Sequence, residues 1–460
     1  MAQEIPSVGG MDKLGKIRIK LQGGEIEAAR DNDIFKARGI RYASAKRFEL
    51  PQPAKAWEDV LDCTHPASIC PQMVPSRLDS VTGPITSGRM QDEECLHLTV
   101  TASVEALTDG QKRPVMVFLH GGAYVSGGGD LDAYSPVGLA KRGLVMVNIT
   151  HRLGLFGYLP IHDRAPANLG LYDQITALEW IQGNIGDLGG DPNRVTLFGE
   201  SAGADSIFCL MIAEGTQHLF HQAILQSAPL GVRMTDREQM IQALGALAHH
   251  RLASAEAPRT SDEMLLLQVE LLMEAKKYPS GLMAFGPSLG HAPLPPLSEV
   301  SHKVQLAAKQ INLFIGYTTH EGAPFARMND TLRPYFDLPL VGWLIERLMV
   351  WIVSRKLFIW GIVQLHDQYL RAGGSSRKYR FDWWPSRSGL RSTHCLELPF
   401  LLGTWTDWAK APMLHGPESR VVLENLGTKM KDLWAAFAKG SMKSGDFSVV
   451  GNEAFGKIVF

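Results

Sequence analysis

The fold class this sequence predicts is α/β, a central and mostly parallel sheet flanked by helices, and three observations predict it. Apolar runs of strand length recur along the chain, helical stretches fall between them, and a serine held between glycines directly follows one of the runs. PVMVFLH (114–120) and GLVMVNIT (143–150) have no polar face to turn to water, so each needs cover on both sides. Alternating helices supply that cover, and the site of such a sheet lies beyond the carboxyl ends of its strands.

Taken in order, KIRIKLQ (16–22) and GIRYAS (39–44) open the chain as short β-rich runs, ahead of the two apolar ones. LYDQITALEWIQGNI (171–185) sets Leu171, Ile175 and Leu178 at helical spacing, with Asp173 expected in the first turn, where a carboxylate suits the helix dipole. GGDPNRVTLFG then turns into a strand, and IFCLMIA (207–213) follows as a buried helix. The runs HQAILQSAP (221–229) and INLFIGY (311–317) continue the alternation, with SDEMLLLQVELLMEAKK (261–277) as a helix between them.

Composition narrows the partners. With 460 residues, 45% hydrophobic and 20% charged, the chain can bury a large core. Its 46 Lys+Arg and 47 Asp+Glu nearly cancel, so no net field favours nucleic acid, and a small molecule is the expected partner. Cys63, Cys70, Cys95, Cys209 and Cys395 are dilute and without C-x-x-C spacing, which argues against a zinc site or a disulfide scaffold. The first twenty residues lack an apolar core and a cleavage site, so a cytoplasmic location is expected. LVGWLIERLMVWIVSRKLFIWGIV (340–363) is the most apolar stretch; Glu346, Arg347, Arg355 and Lys356 interrupt it, and the expectation is no transmembrane segment.

The serine is Ser201, in VTLFGESAGADS (195–206). In G-x-S-x-G a tight strand-to-helix turn lifts the hydroxyl above the sheet, while Gly199 and Gly203 let neighbouring backbone pass close. Serine is a weak nucleophile without a base and a carboxylate to orient it, and it needs N–H donors for the developing oxyanion. VFLHGGAYVSGGG (117–129) offers a glycine pair straight after a strand.

The run NLGLYDQITALEWIQGNIGDLGGDPNRVTLFGESAG (168–203) is similar almost residue for residue to the segment before the nucleophile in type-B carboxylesterases, the family that also holds cholinesterases, bile-salt-stimulated lipase and the non-catalytic neuroligins. GIRYASAKRFELPQPAKAW (39–57), EECLHLTV (93–100) and VNITHRLGLFGYL (147–159) resemble further signatures of the family, and the matches cover most of residues 17–230. Later, LFIGYTTHEGAPF (313–325) resembles the strand that ends in the catalytic acid, and STHCLELPFLLG (392–403) resembles H-x-x-E-L-P-F-x-x-G. The resemblance implies one α/β-hydrolase domain over 1–460, with helical cap elements within 235–300 and 330–375. It implies Ser201 as nucleophile, His394 as base and Glu321 as acid, an oxyanion hole of Gly122, Ala123 and Ala202, and supporting roles for Glu200 and Ser227, with Tyr124 in the substrate pocket. The activity implied is hydrolysis of a carboxylic ester without metal or cofactor.

Alternatives stay open at this point. A thioester, lactone or amide, or acyl transfer to an alcohol, would use the same groups, whereas a neuroligin-like binding protein would lack the serine that is present here. Glu200 is either a simple buried carboxylate or an electrostatic participant. Asp205 suits the first turn of its helix, and His120 and His320 are expected as supporting or surface histidines. Cys70 and Cys95 match a loop disulfide of secreted relatives and would be free thiols in a reducing compartment. Between them the chain has no Trp, Tyr or Phe, so the tryptophan that binds choline in cholinesterases has no counterpart in this loop. Ala123 replaces the third glycine of the usual run. The interval from Glu321 to His394, 73 positions, is short for the family, which implies a trimmed cap and a more open pocket. The apolar segment with Trp343, Trp351 and Trp360 then reads as a buried cap helix pair, as a lid over a bulky lipophilic substrate, or as a contact in a homodimer.

Overall fold

Strands Arg113–Leu119 and Val145–Ile149 pair in parallel at the centre of the molecule, as their two-sided apolar pattern requires. Val115, Val117 and Leu119 enter one buried cluster, while Met116 and Phe118 enter another on the opposite face. Both faces of the sheet are therefore dry. The computed structural model describes residues 14–442 apart from Pro75, with the backbone of 449–452 and 456–459; most of the stretch read for a secretory signal lies outside them.

From Val145–Ile149 the parallel order runs through Arg113–Leu119, Gly190–Glu200, Gln222–Gln226 and Asn312–Thr318 to Ser376–Asp382. Antiparallel strands close both edges: His97–Ser103, Ile34–Arg41, Gly24–Asp31 and Leu14–Leu21 on one side, Gly456–Val459 and Val449–Asn452 on the other. Helix Leu169–Asn184 crosses from one central strand to the next, and every residue of helix Ala202–Ile212 is buried. Asp173 does not act on the helix dipole as expected. It is fully buried, and its oxygens take Arg152 Nη2 at 2.6 Å and Arg152 Nε at 2.9 Å, an ion pair that ties the helix to the strand end before it.

Residues 235–300 supply helices Glu238–Ala253 and Ser261–Ala275; the second starts on a capping box in which Thr260 Oγ1 accepts from Glu263 N–H and Glu263 accepts from Thr260 N–H. Residues 340–363 form neither a pair nor a buried element. From Gly342 on they belong to one uninterrupted 30-residue helix, Gly342–Arg371, with a π-turn at Arg355–Ile359, and only 28% of its most apolar stretch is buried. Its charges do not break it, because long cationic side chains reach solvent from an apolar stem. By length and composition alone this helix is apolar enough to cross a membrane, although Glu346, Arg347, Arg355 and Lys356 predict no transmembrane segment. Cys70 and Cys95 are buried and form no disulfide; Cys70 Sγ accepts from Leu153 N–H at 3.2 Å.

Candidate active site

Ser201 stands alone between strand Gly190–Glu200 and helix Ala202–Ile212 with φ 57° and ψ −123°, a sparsely populated conformation that costs about 1–3 kcal/mol and persists only where its surroundings impose it. They do so here. Its N–H donates to Gln226 O at 2.9 Å, and the strand and helix meet so closely that a Cβ at Gly199 would lie 2.6 Å from the Leu119 carbonyl oxygen. A Cβ at Gly203 would collide with the same oxygen. Gly203→Ala is therefore expected to destabilise the fold by about 3 kcal/mol and to lose most ester turnover. Thermal unfolding alongside the parent chain checks this, and an unchanged midpoint would mean that strand and helix can part at no cost.

Two distant segments converge on the hydroxyl. Glu321 lies just past strand Asn312–Thr318, where Thr318 N–H donates to its Oε1 at 2.7 Å and Ser227 Oγ at 2.5 Å. The other oxygen, Oε2, lies 2.6 Å from His394 Nδ1, and His394 Nε2 lies 2.8 Å from Ser201 Oγ. His394 follows strand Ser376–Asp382, on a loop moored where His320 N–H donates to Ser392 O at 2.7 Å. All three side chains thus sit beyond the carboxyl ends of parallel strands, with Glu321 and His394 buried. Ser227, expected in a supporting role, reaches His394 through Glu321.

Carboxylates crowd the imidazole. Glu200 Oε1 is 3.2 Å from His394 Nε2, and Glu200 itself is buried. Burial opposes charge on His394, yet the carboxylates of Glu200 and Glu321 outweigh it and lift the imidazole from 6.5 to about 9. Burial, opposed by His394 and reinforced by Glu321, raises Glu200 to about 7. Glu397 went unassigned in the sequence although it stands inside the quoted HCLELPF. Burial lifts it to about 8; it accepts from Tyr379 Oη at 2.5 Å, and its Oε2 lies 3.3 Å from Ser227 Oγ.

The loop after strand Arg113–Leu119 carries three successive residues at positive φ, Gly122 at 118°, Ala123 at 53° and Tyr124 at 62°. It runs close over the serine, since a Cβ at Gly121 would sit 3.2 Å from Ser201 Cβ. Among the described residues neither the Gly122 nor the Ala123 N–H donates to any protein acceptor. Ala202 opens its helix, so its N–H is one of those left without an intrahelical partner at the positive end of the dipole. Tyr124 does not present its hydroxyl to a pocket. It is buried, donates to Asp205 Oδ2 at 2.6 Å and packs on Tyr158. Asp205 in turn pairs with buried Arg233, so its role is larger than helix-end electrostatics.

Phe358 and Phe325 flank His394, with ring centroids 4.8 and 5.3 Å from that of its imidazole. Phe358 comes from the π-turn of the long helix, so that is the side chain the apolar segment offers the site; Trp343, Trp351 and Trp360 are all exposed. His120 is buried, stacked on His151 and bonded to Gly121 O at 2.8 Å, and burial followed by the neighbouring His151 holds it down at about 3, as a neutral support. Glu200, His394 and Cys395 lie near enough to share a metal ion. Both nitrogens of His394 are already engaged, however, and burial with Glu200 alongside pushes the Cys395 thiol well up, so the trio suits proton handling better than ligation.

A doubly covered parallel sheet, a serine on a strained corner and a Ser–His–Glu hydrogen-bonded chain define an α/β-hydrolase. The chain belongs to the carboxylesterase family, which it matches over residues 16–334. It is 34% identical over 409 residues to a probable N-octanoylanthranilate hydrolase of Rhodococcus erythropolis, covering 88% of this chain and 89% of that one. It is 32% identical over 458 residues to a para-nitrobenzyl esterase of Bacillus subtilis, covering 92% and 89%. A thermophilic para-nitrobenzyl esterase structure superposes with a TM-score of 0.77 at 28% identity, over 95% of this chain and 92% of that one. The protein is a carboxylic-ester hydrolase acting on small-molecule esters.

Proposed function

We propose that Ser201, His394 and Glu321 hydrolyse a lipophilic carboxylic ester through an acyl-enzyme, within one domain whose cap elements are drawn from 235–300 and 330–375. The observation that carries this reading is the unbroken hydrogen-bonded chain from Ser201 Oγ through His394 to Glu321. Ser201 Oγ attacks the ester carbonyl as His394 Nε2 takes its proton, and Glu321 holds the Nδ1–H tautomer and stabilises the imidazolium. The N–H groups of Gly122, Ala123 and Ala202 receive the oxyanion, each worth about 3 kcal/mol of transition-state stabilisation. His394 returns the proton to the departing alcohol. Water, deprotonated by His394, then attacks the acyl carbonyl, the bond to Ser201 Oγ breaks as His394 returns that proton to it, and the acid is released.

Two observations favour an apolar substrate: the phenyl rings beside His394, and a relative named for an octanoyl compound. That name also describes an N-acyl bond, which makes amide hydrolysis by the same residues the second reading. The test is labelling with a fluorophosphonate, mass spectrometry to locate the adduct, and turnover of an ester series of rising acyl length beside the matching amides. An adduct away from Ser201 refutes the mechanism.

Glu200 has a separate signature. Its carboxylate favours the protonated imidazole, so Glu200→Gln lowers the His394 pKa and keeps the free base available to lower pH. The acid limb of kcat/KM, which in the parent lies above the ordinary histidine value of 6.5, is expected to move down, while kcat falls about tenfold because the imidazolium of the transition state loses support. A pH–rate profile reads both effects, and an unmoved limb would assign Glu200 a packing role.

A further inference from the structure

The helix Gly342–Arg371 has two unlike sides. Val350, Ser354, Phe358, Ile362, Leu365 and Tyr369 form one buried stripe against the hydrolase body. Ser354 Oγ accepts from Gly322 N–H at 2.8 Å, and Phe358 lies on the catalytic imidazole. Crossing a bilayer would strip this face from the site, so the helix keeps its place along the surface. The outer side carries two rows at intervals of four residues: Trp343, Arg347, Trp351 and Arg355, then Leu344, Leu348, Ile352 and Lys356. Trp343, Leu344, Leu348, Trp351 and Ile352 are exposed, as are Trp360 after the rows and Leu340, 92% exposed, before them. So large a continuous apolar face on a protein surface marks an interaction site.

Its charges say what kind. Between Tyr335 and Trp360 the cations are Arg347, Arg355 and Lys356, and among the described residues none has an ion-pair partner. Of the two acids in that interval, Asp337 and Glu346, the second is engaged by Arg327 at 2.6 Å. The guanidinium of Arg355 lies over the Trp351 ring at 4.3 Å and that of Arg347 over Trp343 at 5.9 Å. Indole rings and unpaired cations on one apolar helix face suit the boundary where acyl chains meet anionic headgroups. A two-fold contact with a second copy would instead set each copy's three free cations against those of the other.

We propose that this helix lies in the plane of an anionic phospholipid surface, its tryptophan and leucine rows at the acyl boundary and Arg347, Arg355 and Lys356 at the phosphates. The inference concerns binding and does not depend on the ester mechanism. The test floats the full-length protein with vesicles of phosphatidylcholine alone and of phosphatidylcholine with phosphatidylglycerol. Expected are binding to the second only, weakening with salt, and a blue shift of tryptophan emission. Trp343→Ser with Trp351→Ser should abolish binding while sparing turnover of a soluble short-chain ester. Arg355→Glu with Lys356→Glu, at solvent-facing positions, is the second variant should the first fail to fold. It should lower binding at least about tenfold, each cation being worth about fivefold at such a surface. Failure of the parent to float with the anionic vesicles overturns the proposal, and so does parent-like binding by either folded variant. A dimer that the tryptophan variant turns into monomer, with no vesicle binding by the parent, assigns the face to a second copy and overturns it equally.

Discussion

Ser201→Ala is expected to lose ester turnover by at least about 10⁴-fold while leaving the fold intact. The hydroxyl spends its hydrogen bond on His394 Nε2 alone, and alanine meets the same backbone at φ 57° as serine does, so no further strain is added. The backbone that shapes the corner is held from elsewhere, by the Ser201 N–H to Gln226 O and by the Leu119 carbonyl packed against Gly199 and Gly203. A residual rate above that in water should persist, because the N–H groups of Gly122, Ala123 and Ala202 remain to receive the oxyanion that forms on the carbonyl oxygen when water attacks directly. Steady-state kinetics on a soluble ester, with the thermal midpoint and fluorophosphonate labelling as controls, decide the matter. Turnover above about one per cent of the parent, or a retained adduct, would place the nucleophile elsewhere.

That so much of this site could be read from residues alone has a physical basis. A strand covered on both faces has no freedom to be polar, so PVMVFLH and GLVMVNIT announced the centre of the sheet, and Gly199 and Gly203 sit where the packing around Leu119 O admits no side chain. Ser376–Asp382 was missed for the converse reason. Only Tyr379 and Phe381 of SRKYRFD are buried, so its pattern is that of an ordinary polar stretch. Tyr124 and Asp173 were misplaced because their partners lie far along the chain, Asp205 at 81 and Arg152 at 21 positions' remove, and no local spacing encodes such pairs. The long helix shows the same limit. Its apolar periodicity is visible in the sequence, but which stripe would find cover is decided by Gly322 and His394 on other segments.

Glu321→Gln isolates the charge from the geometry, and a loss of about 10⁴-fold in kcat is expected from a side chain of almost unchanged shape. Two donors, Thr318 N–H and Ser227 Oγ–H, already point at Oε1, and Thr318 N–H is fixed by the backbone. An amide must therefore turn its oxygen to them and its NH₂ to His394 Nδ1, since the opposite choice would set two buried donors face to face. Facing an NH₂, Nδ1 has to accept, which moves the ring proton to Nε2, the nitrogen 2.8 Å from Ser201 Oγ. In that tautomer His394 cannot take the serine proton. The imidazolium loses a carboxylate as well, so its pKa should fall, leaving Glu200 and Glu397 as the carboxylates that favour it. Thermal unfolding should change little while kcat collapses and KM holds, because the substrate's contacts are untouched. A loss below about tenfold would mean that packing around Phe325 and Phe358, with no help from the acid, is enough to orient the base.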